Sequence, residues 1–92
     1  MRFRFSKLKS ESLRHNPKRG IGFEQVHALF TRSFYQDQRS DDPEQYRAIG
    51  WVDDRLFTVI FEVRTDDFGE YCHLVTLWHS TREEQELYEA SS

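Results

Sequence analysis

Residues 46–64 constrain this chain more than any other stretch. Trp51, Val52, Leu56, Phe57, Thr58, Val59, Ile60, Phe61 and Val63 suit a pleated, half-buried surface. Asp53 and Asp54 interrupt them at a point where their side-chain oxygens can close a local turn, so the stretch reads as a hairpin. In its second strand Phe57, Val59, Phe61 and Val63 share one parity and Leu56, Thr58, Ile60, Glu62 and Arg64 the other. One face is wholly apolar; the other becomes polar toward Arg64, placing a cation where a supported strand leaves its core.

Ninety-two residues make one domain spanning 1–92. Hydrophobic residues are only 37% of the chain but aromatic residues are 15%, so a few large rings must supply much of the core. No apolar run approaches the roughly 20 residues that span a bilayer, and no apolar stretch follows the basic N-terminal segment as in a signal peptide. The expected location is cytoplasmic, away from membranes. The lone Cys72 has no partner for an intrachain disulfide and reads as a small buried hydrophobe. Through Gly20 the chain carries seven basic residues against one acidic, a net of +6, and the remainder carries six against fifteen, a net of −9. A basic end of this kind either meets a polyanion through phosphate contacts or packs on the chain's own acidic body. On the first reading Arg2, Arg4, Lys7, Lys9, Arg14 and Arg19 are the candidate phosphate contacts.

In chain order, residues 1–5 alternate Arg with Phe and fit a short strand. Ser6 caps a basic helix over residues 7–15, anchored by Leu8 and Leu13 and stopped by Asn16-Pro17. After the turn at residues 17–20, Phe23, Val26, His27 and Phe30 form the apolar stripe of a second helix, with His27 a partly buried structural histidine. Residues 33–37 read as a brief strand and 38–43 as a polar, mobile loop, whose Asp41-Asp42 pair is more readily solvated than metal-bound. After the central hairpin and a turn at residues 65–69, a last strand covers 71–78. There Tyr71, His73, Val75, Leu77 and His79 share one parity, while Cys72, Leu74, Thr76 and Trp78 share the other. Ser80 and Glu83 fit a capping box for a final helix, which Leu87 and Tyr88 dock before residues 90–92 fray. The result is a small α+β domain with a mainly antiparallel sheet, two N-terminal helices on one face and one C-terminal helix.

Four segments, residues 18–26, 46–50, 59–64 and 81–89, resemble in order and spacing the BrnT family of bacterial toxins. The resemblance covers nearly the whole chain. It implies a RelE-like fold, metal-independent cleavage of RNA without a cofactor, and neutralisation by a BrnA-like ribbon-helix-helix antitoxin that also binds operator DNA. Of the family's functional cations, Lys18 and Arg64 carry over directly. The chain departs from the family pattern at Arg19, at Gln45, at His73 and at His79, the last standing where the family ends its strand with basic residues.

Such cleavage requires a base for the 2′-hydroxyl proton, charge stabilisation at the phosphorane and an acid for the leaving 5′-oxygen. Histidine suits the first or third role because its reference pKa of ~6.5 lies near working pH. The expected catalytic set is therefore His79 with Arg64 and Lys18 holding phosphate. His73, six residues from His79 and so about 20 Å away along a strand, is set aside, and Trp78 is assigned to the core. Two further readings stand beside the enzyme: a noncatalytic module that keeps the fold and binding surface, and a nucleic-acid binder acting through the basic helix alone.

Overall fold

In a computed structural model, which describes residues 2–91, the chain is an α+β domain built on one five-stranded sheet. The elements are β1 (Arg2–Arg4), α1 (Lys7–His15), α2 (Phe23–Phe30), β2 (Tyr35–Asp41), β3 (Glu44–Val52), β4 (Arg55–Asp66), β5 (Gly69–His79) and α3 (Arg82–Ser91). The sheet order is β1-β5-β4-β3-β2, antiparallel throughout except where β1 pairs parallel with β5 along one edge. Met1 of the expected first strand and Ser92 of the expected frayed end lie outside the described residues.

The central hairpin forms as its composition dictates. Val52 pairs with Arg55 across Asp53-Asp54, and Asp53 takes the positive φ of 56° that Asp tolerates better than most residues. Phe57, Val59 and Phe61 point into the main core with Cys72, Leu74 and Leu77 of β5, and α1 and α2 cover them with Leu13, Phe23, Val26 and Leu29. Each of the fully buried side chains Phe23, Leu29 and Leu77 contributes about 1.5–3 kcal/mol over an exposed position. The opposite face carries a second, smaller core. Ile49 and Ile60 are buried there beside Thr58, whose hydroxyl meets that of Ser80 at 2.9 Å, and Trp51 packs edge-on against Tyr88 of α3.

Five local expectations are corrected. Residues 38–43 do not form a loop, because β2 runs through Asp41 and closes on Glu44 through a cis Asp42-Pro43 peptide. The stripe of α2 is Phe23, Val26 and Leu29 rather than one containing His27, which is exposed and edge-on to Phe3. Leu8 does not anchor α1; it is 85% exposed, and the small Ser10 takes the buried position instead. The α3 capping box lies one residue later than expected. Thr81 N–H donates to Glu84 Oε1 at 2.8 Å and Glu84 N–H to Thr81 Oγ1 at 3.2 Å, which frees Ser80 for the second core. The parity of β5 changes within the strand. Phe61 pairs with Leu74 but Ile60 with Thr76, leaving Val75 as the extra residue of a bulge.

Ser10 explains how the two N-terminal helices lock together. Gly22 precedes α2 without a side chain to cap it, and Ser10 Oγ supplies the missing function from α1, accepting from Phe23 N–H at 2.9 Å and donating to Glu24 Oε1 at 2.5 Å. A Cβ at Gly22 would stand 2.5 Å from that oxygen. Ser10→Ala is therefore expected to cost about 1–2 kcal/mol, the range for losing a cap or leaving a buried polar group unpaired. Urea unfolding of the two proteins measures it; an unchanged midpoint would refute this role.

Candidate functional site

The bulge at Val75 decides which residues share a surface. Before it, Cys72 and Leu74 face the main core, so Tyr71 and His73 face the other side; after it, Leu77 and His79 take the core side and Trp78 the other. His79 consequently stacks on Phe57 with ring centroids 4.5 Å apart. It lines a cavity of about 280 Å³ with Arg19, Gly20 and Arg55, near the loop bearing Lys18. Arg64 pairs with Tyr71 whereas His79 pairs with Phe57, seven residues away along β4, a separation of roughly 23 Å on opposite faces. Arg64 and His79 do not converge; Lys18 and His79 lie at one pole of the domain and Arg64 at the other.

Arg64 has different company. Two consecutive rows cross the sheet on the face opposite α1 and α2: Arg2, Tyr71 and Arg64 in one, and Arg4, His73, Glu62 and Gln45 in the next. The parallel register of β1 on β5 creates both rows. It sends Phe3 into the core and Arg2 and Arg4 to the polar side, as the alternation of that segment requires. α3 leaves these rows uncovered. From Glu84, bonded to Trp78 Nε1–H at 3.0 Å, it runs toward Trp51 and Ser33, away from the Arg64 end.

The side chains are held in place by carboxylates. Arg2 presents both terminal nitrogens to Asp66 at 3.0 and 2.8 Å, and Arg4 reaches the same carboxylate at 2.6 Å. Asp66 is accordingly held down to about 2, first by the Arg2 hydrogen bond. The contribution of this clasp is full above the ordinary carboxylate value of 3.8 and is lost as pH falls through about 2. Glu62 accepts from Arg64 Nε and Nη2 at 3.0 and 2.5 Å and from Gln45 Nε2 at 2.7 Å, so both its oxygens are fixed. Its pKa is lowered, by Gln45 first. Above them, the Arg4 guanidinium lies 4.5 Å and that of Arg2 5.6 Å from the Tyr71 ring centroid.

His73 stands between these groups with neither imidazole nitrogen committed to a hydrogen bond or ion pair among the described residues. Burial lowers its pKa below the ordinary 6.5, the Arg64 charge lowers it further, and Glu62 opposes them. The net direction favours the neutral imidazole, which has the Arg64 charge nearby and shares its sheet face with Arg4 and Arg2, whose guanidinium groups turn toward Asp66. That arrangement supplies a base beside cations that can hold a phosphate, the pairing expected earlier at His79.

The remaining cationic candidates divide between self-complementation and solvent. Arg14 bridges Glu11 and Glu24 at 2.7 and 2.8 Å, and Arg19 donates to the Leu77 carbonyl at 3.0 Å. Lys7, Lys9 and Lys18 are exposed and form no ion pair among the described residues. Two contributors were not anticipated from sequence. Arg39, the extra residue where the register of β2 shifts, lies with its guanidinium 5.9 Å from the ring centroid of Trp78, which is half-buried on the α3 face and not part of the main core. Cys72 is buried, as expected, and burial pushes its thiol pKa up. Among the described residues no three His, Cys, Asp or Glu side chains gather as metal ligands would, and no helix is long and apolar enough to cross a membrane.

No protein-family model matches this chain, and no curated protein matches it.

Proposed function

We propose that this protein is a BrnT-like toxin of RelE-like fold, a metal-independent endoribonuclease neutralised by a BrnA-like ribbon-helix-helix antitoxin, with its RNA site on the uncovered half of the sheet around His73. The observation that carries the reading is the placement of a histidine with no committed nitrogen among the described residues on one sheet face with Arg64, Arg4 and Arg2. His73 takes the proton from the attacking 2′-hydroxyl, whose oxygen bonds to phosphorus as the P–O5′ bond breaks, and solvent water gives the leaving 5′-oxygen its proton. Arg64 and Arg4 hold the scissile phosphate and stabilise the charge that develops on the phosphorane, a role guanidinium groups fill through charge-assisted hydrogen bonds. Lys18 and His79 stand outside this site and take no part in the step.

The carboxylates favour a second reading, a noncatalytic binding module. Asp66 and Glu62 already pair with the three arginines, so RNA must compete with them for each guanidinium. The same competition gives a test of phosphate binding. Asp66→Asn keeps an oxygen for the Phe68 N–H bond of 2.8 Å but removes the charge that holds Arg2 and Arg4. Tighter binding of single-stranded RNA is expected, with a salt slope steeper by about 0.7 for each arginine released. Equal affinity and slope in filter binding at several salt concentrations would place the RNA elsewhere.

The toxin reading is tested by inducing the chain in bacterial cells. Growth should stop and should resume when a ribbon-helix-helix protein encoded beside the gene is co-expressed. Normal growth in cells that accumulate the folded chain would overturn it.

A further inference from the structure

All four arginine–ring contacts among the described residues involve rings along β5 and the turn before it. Arg2 lies 6.0 Å from the Phe68 ring centroid and 5.6 Å from that of Tyr71, Arg4 lies 4.5 Å from Tyr71, and Arg39 lies 5.9 Å from Trp78. Three arginines thus lie against three rings along one line of the sheet. Tyr71 and Trp78 bracket His73, two residues from one and five from the other. Tyr71 shares the His73 sheet face by strand parity and Trp78 because of the bulge at Val75. Phe68 is 85% exposed at the end of the line, and the Trp78 indole is fixed by its bond to Glu84. Arg39 is exposed and, this ring apart, makes no ion pair or hydrogen bond among the described residues, so its guanidinium is open to a further partner beside the indole.

We infer that Trp78 with Arg39 forms a second base-binding platform, and that the substrate is a single-stranded RNA laid along β5 with one base on Tyr71, another on Trp78 and the reacting phosphate at His73. The inference rests on the RNA-cleaving reading above and assigns its substrate class. Every nucleobase has a face that can stack on an aromatic ring or a guanidinium plane, but only an unpaired strand can splay its bases to do so. The seven residues from Tyr71 to Trp78 span roughly 23 Å, enough for a few nucleotides between the platforms. Trp78 and Arg39 are positioning residues that touch the strand away from the reacting atoms.

The test uses a Trp51→Phe background, which leaves Trp78 as the only tryptophan, and a 2′-O-methyl oligonucleotide that lacks the attacking hydroxyl. Its single strand should quench Trp78 fluorescence, while a duplex of the same sequence should not. Arg39→Ala, at an exposed side chain that does not support the fold, should weaken single-strand binding about 5–10-fold, and Trp78→Leu about 10-fold or more, the range for losing one base stack. With cleavable RNA these changes should raise KM and leave kcat in place. Absence of quenching, equal quenching by the duplex, or undiminished binding by Arg39→Ala would overturn the platform. Cleavage that persists in that case leaves the ribonuclease reading standing; quenching by a chain that cuts no RNA keeps the platform and removes the enzyme.

Discussion

Replacing His73 with Ala is expected to lower RNA cleavage about 10²–10⁴-fold, the usual loss on removing a general base, while His79→Ala leaves the rate unchanged. The contrast separates two histidines of the same strand. His73 is half-buried, has no committed nitrogen among the described residues and lies in a row with Arg4, beside the row of Arg2 and Arg64. His79 is stacked on Phe57 on the opposite face, at the other end of the sheet. His73 bears no structural bond, so its variant should unfold at the same urea concentration as wild type. Single-turnover cleavage of one RNA by both variants measures the difference; loss with His79→Ala and not His73→Ala would move the site to the other pole.

Arg64→Gln should cost about 10²–10³-fold in rate, comparable with removing one donor from a charge-stabilising site, and it should also move the pH profile. Arg64 is the second cause, after burial, of the low His73 pKa, while the neighbouring Glu62 carboxylate pushes the other way. Removing the guanidinium withdraws one lowering influence and leaves Glu62 without its ion pair, so both changes raise the His73 pKa. In wild type the acid limb of the rate profile should lie below pH 6.5, with activity rising as His73 loses its proton; in Arg64→Gln the limb should shift upward. A merely structural arginine would reduce activity without moving the limb.

Much of this fold is legible in short-range pattern. The alternation of Phe57, Val59, Phe61 and Val63, the Asp53-Asp54 turn and the Arg-Phe alternation at the N-terminus suffice to give the hairpin, its buried face and the first strand. Arg64 is identifiable as a cation leaving a core because parity within one regular strand is a local property. The rest of the candidate site is not local. A single extra residue at Val75 reverses the face of everything after it, placing His73 and His79 on opposite faces although they share sequence parity. Nothing in the run from Cys72 to Trp78 marks that position, since both parities offer apolar residues. The parallel pairing of β1 with β5, across more than sixty residues of chain, brings Arg4 beside His73 and Arg2 beside Tyr71. The Asp66 carboxylate that receives those arginines stands in a segment that reads only as a turn. The charge asymmetry along the chain was likewise visible, but its outcome depended on tertiary partners: Arg2, Arg4 and Arg14 meet carboxylates, whereas Lys7 and Lys9 remain in solvent.

The central claim, that His73 and the arginines around it cleave RNA by activating its own 2′-hydroxyl, is tested most directly by product analysis. The purified chain, free of any partner, is incubated in EDTA with a long single-stranded RNA and with the same RNA carrying 2′-O-methyl groups. The expected result is cleavage of the first into fragments ending in 2′,3′-cyclic phosphate, no cleavage of the second, and loss of both fragments and cyclic ends with His73→Ala. Intact RNA beside a folded wild-type chain, or undiminished cleavage by His73→Ala, would contradict it.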